Sequence, residues 1–296
     1  MNTESPAYGC VALIGKYQSA EVAESLRTLA HWLRDAGREV LIEQASAEVM
    51  PDDRFESADF DALGRRAQLA VVVGGDGSLI SAARKLAPFG VPLVGINQGR
   101  LGFLTDVARS SMLESLESLL RGDFRAERRV LMQAQVLREG RAVFSAFALN
   151  DVVISKGDLG RMIEFEVRVD GEFVYSQRSD GLIVATPTGS TAYSLSANGP
   201  IVHPSLGGML IVPLCPHALS SRPIVLGDSA VLNVRLFSRH DARAHFDGQE
   251  HVNLHGDDVL RIERSPHQVT LLHPPGYSYF AMLREKLRWS EAPKEV

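Results

Sequence analysis

Asp76 stands in Gly74-Gly75-Asp76-Gly77-Ser78, directly after the apolar run at 70–73. Glycines remove side-chain bulk, so backbone N–H groups can approach a phosphate, and a helix opening at this point favours the anion. A carboxylate beside bare phosphate would repel it. It fits a loop where it holds a cation or accepts a proton from a hydroxyl. The segment is neither GxGxxG nor a P-loop, since no Gly-Lys-Ser/Thr follows. An isolated Asp-Gly is ordinarily a tight turn, but three glycines around one Asp at a strand-to-helix junction favour a functional loop.

Two further segments carry polar groups that could bind a nucleotide. Asn150 and Asp151 open the apolar run 152–154. Two short polar side chains can fork onto ribose hydroxyls, although the pair alone reads first as an Asx turn or strand cap. The third segment, DGLIVATPTGSTAYSLSANGP at 180–200, carries seven hydroxyl side chains and no charge from Thr186 onward. Such a stretch reads sugars and base edges by hydrogen bonds and does not attract phosphates by charge. A loop that caps its own backbone weighs equally. Asp180 can accept from a ribose hydroxyl.

Weaker candidates surround these. Asn97, Gly99, Gly102 and Phe103, in GINQGRLGFL at 95–104, can line a pocket or form a plain crossover loop. Arg161 and Arg178 can pair with phosphates, or simply be solvated. Asp247-Gly248-Gln249 reads first as a hairpin turn, with Gln249 able to reach a ligand amide. His203, His217, His245 and His251 lack helical metal-ligand spacing, and Lys156 reads as a surface residue.

These residues need a scaffold. The chain has 296 residues, which at about 150 per domain suggests one large or two modest domains. With 45% hydrophobic and 23% charged residues it is neither disordered, collagen-like nor coiled-coil. A net charge of −5 argues against general nucleic-acid binding. Cys10 and Cys215 are too few for a disulfide framework and belong to no CxxC pair; both read as buried thiols. The first ten residues lack a basic residue and an apolar core, so they do not read as a signal peptide. The uncharged stretches 181–202 and 205–221 are too polar or too broken by proline for a membrane helix. The expected setting is soluble, reducing and cytoplasmic.

The first hundred residues alternate strand and helix. Strands are expected at 10–14, 40–42, 70–73 and 91–96. Val22, Leu26, Leu29 and Leu33 mark one helix face, ended by Gly37, and 78–86 reads as a second helix. This alternation implies an open, mostly parallel sheet. Leu113, Leu116 and Leu120 make one more helix. Short strands follow at 132–137, 148–154, 163–169, 173–177, 181–185, 209–213, 231–236, 259–262 and 269–272, with a hairpin signal at Asp170-Gly171. The tail at 279–288 is helical. The expected domains are an α/β domain, 1–106 plus 278–296, carrying GGDG, and a β-rich domain, 107–277, carrying the polar segments.

The set GGDGS (74–78), GINQGRLGFL (95–104), ALNDVVISKG (148–157) and DGLIVATPTGSTAYSLSANGPIVHPS (180–205), in this order and spacing, resembles the bacterial NAD kinases. GGDG alone is shared with diacylglycerol and sphingosine kinases and phosphofructokinases; the long third segment with the Asn-Asp pair is far more specific. The resemblance runs from about Val11 to Leu287. It implies ATP-dependent phosphorylation of the 2′-hydroxyl of the adenosine ribose of NAD, giving NADP, with a divalent cation, usually magnesium. It also implies an α/β domain, a β-rich domain, a final helix returning to the first, and a homo-oligomer (dimer or tetramer). Asp76 would be the proton acceptor and Gly77 its neighbour at the NAD, with Gly74, Gly75, Asn97 and Phe103 as pocket candidates. Asn150 and Asp151 would hold the ribose and adenine region. Arg161, Arg178 and Asp180 would bind further parts of the dinucleotide. Thr191, Ala192, Tyr193, Ser194, Leu195, Ser196 and Gln249 would complete the site. With no clustered carboxylates visible, no protein metal site is expected and the cation would travel largely with ATP.

Two rival readings remain at this point. A GGDG-type lipid kinase would need a membrane-facing basic or amphipathic patch, and none is visible. A non-catalytic NADP-binding sensor would have no need of Asp76.

Overall fold

The computed structural model describes residues 8–15, 19–99, 102–157, 161–218, 220–237 and 242–289. The chain divides into two compact units: Met1–Glu127 together with Val269–Val296, and Arg128–Gln268.

The first unit is built on a parallel sheet. Its strands run in the order Glu56–Ala58, Glu39–Glu43, Cys10–Gly15, Leu69–Val73, Leu93–Asn97. The end of the long strand Val259–His273 joins parallel to the last of these, with Leu271 opposite Leu93. Leu69–Val73 is buried along its whole length, as its continuous apolar run requires of a strand covered on both faces. Helix Ala20–Asp35 lays Val22, Leu26, Leu29 and Leu33 onto the sheet. Burying each leucine stabilises the unit by roughly 2 kcal/mol over leaving it in water. Ser19 caps this helix by accepting from the Val22 N–H, and the left-handed Gly37 (φ 75°) ends it. Helix Tyr279–Leu287 also belongs to this unit.

The second unit is mainly β. A six-stranded antiparallel sheet runs in the order Ile224–Leu226, Met209–Leu214, Gly181–Ala185, Asp151–Lys156, Ala242–Phe246, Glu250–Leu254. Outside that sheet, Glu172–Ser179, Ile163–Val169, Leu232–Leu236 and the start of Val259–His273 pair antiparallel in this order. Alternation decides the packing. Val152, Ile154, Leu182, Val184 and Phe246 meet Phe165, Val167, Val234 and Ile262 in one core. On the opposite face Val153, Ile183 and Ala185 are covered by Val202 and neighbours. Asp170-Gly171 and Asp247-Gly248 turn hairpins, each with two positive φ angles (53° and 85°; 52° and 65°), the geometry of tight type I′ turns.

Three expectations from the sequence need correction. The run 148–154 is not one strand: Arg141–Ala148 ends and Asp151–Lys156 begins, each in a different sheet. The runs 259–262 and 269–272 are one strand, Val259–His273. Cys215 is exposed, whereas Cys10 is buried. Cys215 follows the end of Met209–Leu214 in a left-handed conformation (φ 44°) that turns the chain out of the sheet.

Candidate functional site

In the first unit, the buried strand Leu69–Val73 delivers Gly74, whose N–H donates to the Ile96 carbonyl at 2.9 Å. Helix Asp76–Leu86 then starts with Gly75 at its N-cap, and no side chain caps it. A Cβ on Gly75 or Gly77 would meet nothing within 4 Å, so the loop surface there is open. The Asp76 carboxylate is held by the loop after the next strand. Oδ1 accepts from the Leu104 N–H (3.1 Å), the Thr105 N–H (3.0 Å) and the Thr105 hydroxyl (3.0 Å). Oδ2 accepts from the Phe103 N–H at 2.8 Å. A carboxylate offers about four lone-pair positions, so among the described residues Oδ2 keeps one open for a further donor.

Asn97 supports this arrangement. It is buried, and its Nδ2 donates to the Thr105 hydroxyl at 3.2 Å while its Oδ1 accepts from the Gly99 N–H at 2.6 Å. Thr105 is therefore the hinge of the network, fully buried and bonded to Asp76 twice. Sequence reading missed it because a lone threonine after an apolar residue carries no signal of its own. Gly102, which the sequence offered only as a loop residue, is required: a Cβ there would overlap Asp76 Oδ1 and Thr105 Oγ1.

In the second unit, a cavity of about 430 Å³ is lined by Asn150, Asp151, Val153, Ser155, Ala192, Tyr193, His245, Asp247 and Gly248. Asp151, Val153 and Ser155 alternate along one strand and so share one face. Asp247, in its hairpin turn, organises the entrance to that strand. Its Oδ2 accepts from the Leu149 N–H (2.8 Å), and its Oδ1 accepts from those of Asn150 (2.7 Å) and Asp151 (3.0 Å). Burial, then the charge of Asp247, pushes the Asp151 carboxyl up to about 7. Burial and the neighbouring His251 and Arg243 hold His245 below its ordinary value.

The hydroxyl segment braces the same strand entrance. Thr186 donates its hydroxyl to the Leu149 carbonyl (2.5 Å) and accepts from the Gly189 N–H (3.1 Å). A Cβ on Gly189 would fall 2.8 Å from Asn150 Cα and closer still to its carbonyl, so only glycine fits. Ser190 donates to the Pro187 carbonyl and accepts from the Val202 N–H, and Thr191 donates to the Thr188 carbonyl. Much of the segment's hydroxyl content is thus spent on its own backbone.

The cavity brings together Asn150, Asp151, Ala192 and Tyr193 from the sequence candidates. Tyr193 is exposed, while Ser194 is buried beneath Gly199. Thr191 and Leu195 are half-buried and Ser196 exposed, and none of these three lines the cavity. Arg161 and Arg178 are exposed. Arg178 lies opposite Glu164 in the hairpin that ends at Ser179. Asp180 pairs with Lys156 at 2.8 Å, so that lysine, read as a surface residue, is a half-buried ion-pair partner. Gln249 is exposed just beyond the turn that carries Asp247. His245, Ser155 and Asp247 are cavity residues the sequence did not single out as such. Alternation along the strand from Asp151 could have placed Ser155 beside it.

Among the described residues no group of three or more His, Cys, Asp and Glu side chains could hold a metal ion. No helix among them is long and apolar enough to cross a membrane.

A parallel-sheet unit with an open GGDG turn, and a β unit with a carboxylate-floored cavity, define a nucleotide-handling enzyme of the two-domain α/β-plus-β class. The model of the ATP-NAD kinase N-terminal domain matches residues 11–124, and that of the ATP-NAD kinase C-terminal domain matches residues 149–273. The chain belongs to the ATP-NAD kinase family. It is 57% identical to an NAD kinase of Aromatoleum aromaticum, over 98% of this chain and 97% of that one. It is 49% identical to one of Nitrosospira multiformis, over 98% and 99%. Among solved structures, yeast NADH kinase complexed with NADH has the same fold (TM-score 0.90, 22% identity, covering 99% of this chain and 91% of that chain). An Archaeoglobus fulgidus NAD kinase in complex with ATP superposes with a TM-score of 0.73 at 26% identity, covering 94% and 98%. The lipid-kinase and sensor readings find no support in these matches.

Proposed function

We propose that the chain phosphorylates the 2′-hydroxyl of the adenosine ribose of NAD with ATP, giving NADP, and that Asp76 accepts the hydroxyl proton. A ribose hydroxyl is a poor nucleophile at neutral pH, and a carboxylate need only take its proton as the new P–O bond forms. The observation that carries this role is the fixed Asp76 carboxylate, with four donors from Phe103, Leu104 and Thr105 and an acceptor position left on Oδ2. Positioning of this kind, together with charge neutralisation, supplies most of the rate in phosphoryl transfer. The uncapped helix start at Gly75, with Gly74 and Gly77, offers backbone to phosphate oxygens.

Asn150 and Asp151, with Ala192 and Tyr193, would receive the adenosine part of NAD in the 430 Å³ cavity. Arg161, Arg178, Asp180, Thr191, Ser194, Leu195, Ser196 and Gln249 are assigned to the dinucleotide on family resemblance. A kinase of this family uses ATP with a divalent cation. Magnesium arriving with the triphosphate is the assignment. A homo-oligomer and a cytoplasmic setting complete the reading.

The test is conversion of NAD to NADP by purified chain with ATP and Mg²⁺, read by an NADP-specific dehydrogenase. Turnover that needs all three components is expected. A folded chain that binds NAD without turning it over would contradict the assignment.

A further inference from the structure

His273 is almost completely buried at the end of the strand Val259–His273. Its Nδ1 lies 2.8 Å from Asp106 Oδ2, and its Nε2 lies 3.2 Å from Glu127 Oε2. Both carboxylates are themselves buried. The Tyr277 ring stacks on the imidazole with centroids 3.8 Å apart and planes 8° from parallel, and Arg125 sits 5.9 Å over the far ring. All of these residues belong to the first unit. An apolar residue would fill such a space at lower cost, since ions taken out of water pay a large desolvation penalty. What a buried ion group supplies in return is a fixed orientation of the groups it ties.

Asp106 is the residue after Thr105, which bonds Asp76 Oδ1 through both its N–H and its hydroxyl. On the other side, Val107 pairs in register with Ile96. The Asp106 side chain is thus the tether between the Asp76-holding loop and the end of a different strand.

We infer that His273 is a positioning residue for the phosphoryl transfer: through Asp106 it sets the peptide at Thr105 and so the place of the Asp76 carboxylate. The inference rests on the proton-acceptor role proposed for Asp76. Burial pushes the His273 imidazole down, but the Asp106 hydrogen bond and the nearby Asp106 and Glu127 carboxylates outweigh this and hold it above its ordinary value.

Two replacements separate this role from simple space filling. Asparagine places its amide nitrogen near the Nδ1 donor and keeps the Asp106 link; glutamine reaches the Nε2 position and keeps only Glu127. His273→Gln should lower kcat by about tenfold or more with KM for NAD within about twofold, as a small misplacement of the acceptor would. His273→Asn should recover most of that loss. Asp106→Ala should show the same split, and Asp106→Ala/His273→Gln should be no slower than Asp106→Ala alone, because the two act through one path.

Thermal unfolding of each variant establishes that the protein measured is folded; if His273→Gln does not fold, Asp106→Ala carries the test. Equal rates for the Asn and Gln variants, multiplying losses in the double variant, or wild-type kcat in Asp106→Ala would each overturn the inference. Asp76→Asn is measured alongside. Its retaining activity would overturn the Asp76 reading and this inference together, whereas its collapse beside a fully active His273→Gln would overturn this inference alone.

Discussion

Gly102 and Asp76 are packed so closely that a Cβ on the glycine would overlap the carboxylate oxygen Oδ1. Gly102 lies in the loop after strand Leu93–Asn97, whereas Asp76 opens the helix that follows strand Leu69–Val73. The loop at 102–105 is therefore a mould for one carboxylate. Gly102→Ala should push the Asp76 carboxylate aside while leaving the cavity in the second unit untouched. A displacement of about 1 Å at a reacting group can cost on the order of 100-fold. Steady-state kinetics should show kcat reduced by about that factor, with NAD binding unchanged by calorimetry. Wild-type kcat in this variant would mean the mould does not set the rate.

Asp247 performs a similar service for Asn150 and Asp151, taking three backbone N–H donors with one side chain. Asp247→Ala leaves those donors without their acceptor. Stranding partly buried donors costs about 2 kcal/mol or more. The urea midpoint should fall accordingly, and NAD binding should weaken with it. An unchanged midpoint would show that water replaces the carboxylate at no cost.

Asp151 makes stability depend on pH in a direction opposite to that of most acidic residues. Its folded carboxyl keeps its proton up to about pH 7, while the unfolded chain releases it near pH 4, about the ordinary value. Between these limits the folded state binds more protons, so stability falls as pH rises, and the loss is complete above the folded value. Asp151→Asn should match the wild type near pH 4 and exceed it in stability at pH 8, by on the order of a few kcal/mol. Denaturant unfolding at the two pH values measures this. A variant less stable than wild type at pH 8 would contradict the buried, charge-crowded setting of Asp151.

Much of the scaffold was legible in the sequence because its signals are local. The run Leu69–Val73 and the stripe Val22, Leu26, Leu29 and Leu33 announce a covered strand and a helix face from their own spacing. The break at 149–150 was not legible, because it is made by Asp247, which lies 98 residues from Leu149 in the chain. The strand Val259–His273 read as two because Arg264, Ser265 and Pro266 look like a turn. A proline is tolerated in a strand where no ladder donor is needed. For the site, Asp76 stood out as the carboxylate of GGDG and Asn150-Asp151 as a polar pair before an apolar run, whereas Ala192 and Tyr193 were named only by the family resemblance. Thr105, His245 and the necessity of Gly102 were not, since each acquires meaning only from a neighbour brought up by the fold. The hydroxyl segment was half legible: its density of Ser and Thr marked it, but whether Thr186 and Ser190 serve ligand or backbone depended on the Leu149 and Val202 backbone that the fold brings to them.

The most direct test of the account is Asp76→Asn. Asparagine keeps an oxygen for the three donors at Oδ1 and loses only the Phe103 N–H bond at Oδ2, so the loop should stay folded. It cannot take the hydroxyl proton, and removing such an acceptor typically costs about 100- to 10,000-fold. NADP formation from NAD, ATP and Mg²⁺ should drop by that order while NAD binding holds. Near-wild-type turnover by the folded variant would contradict the role of Asp76 as proton acceptor.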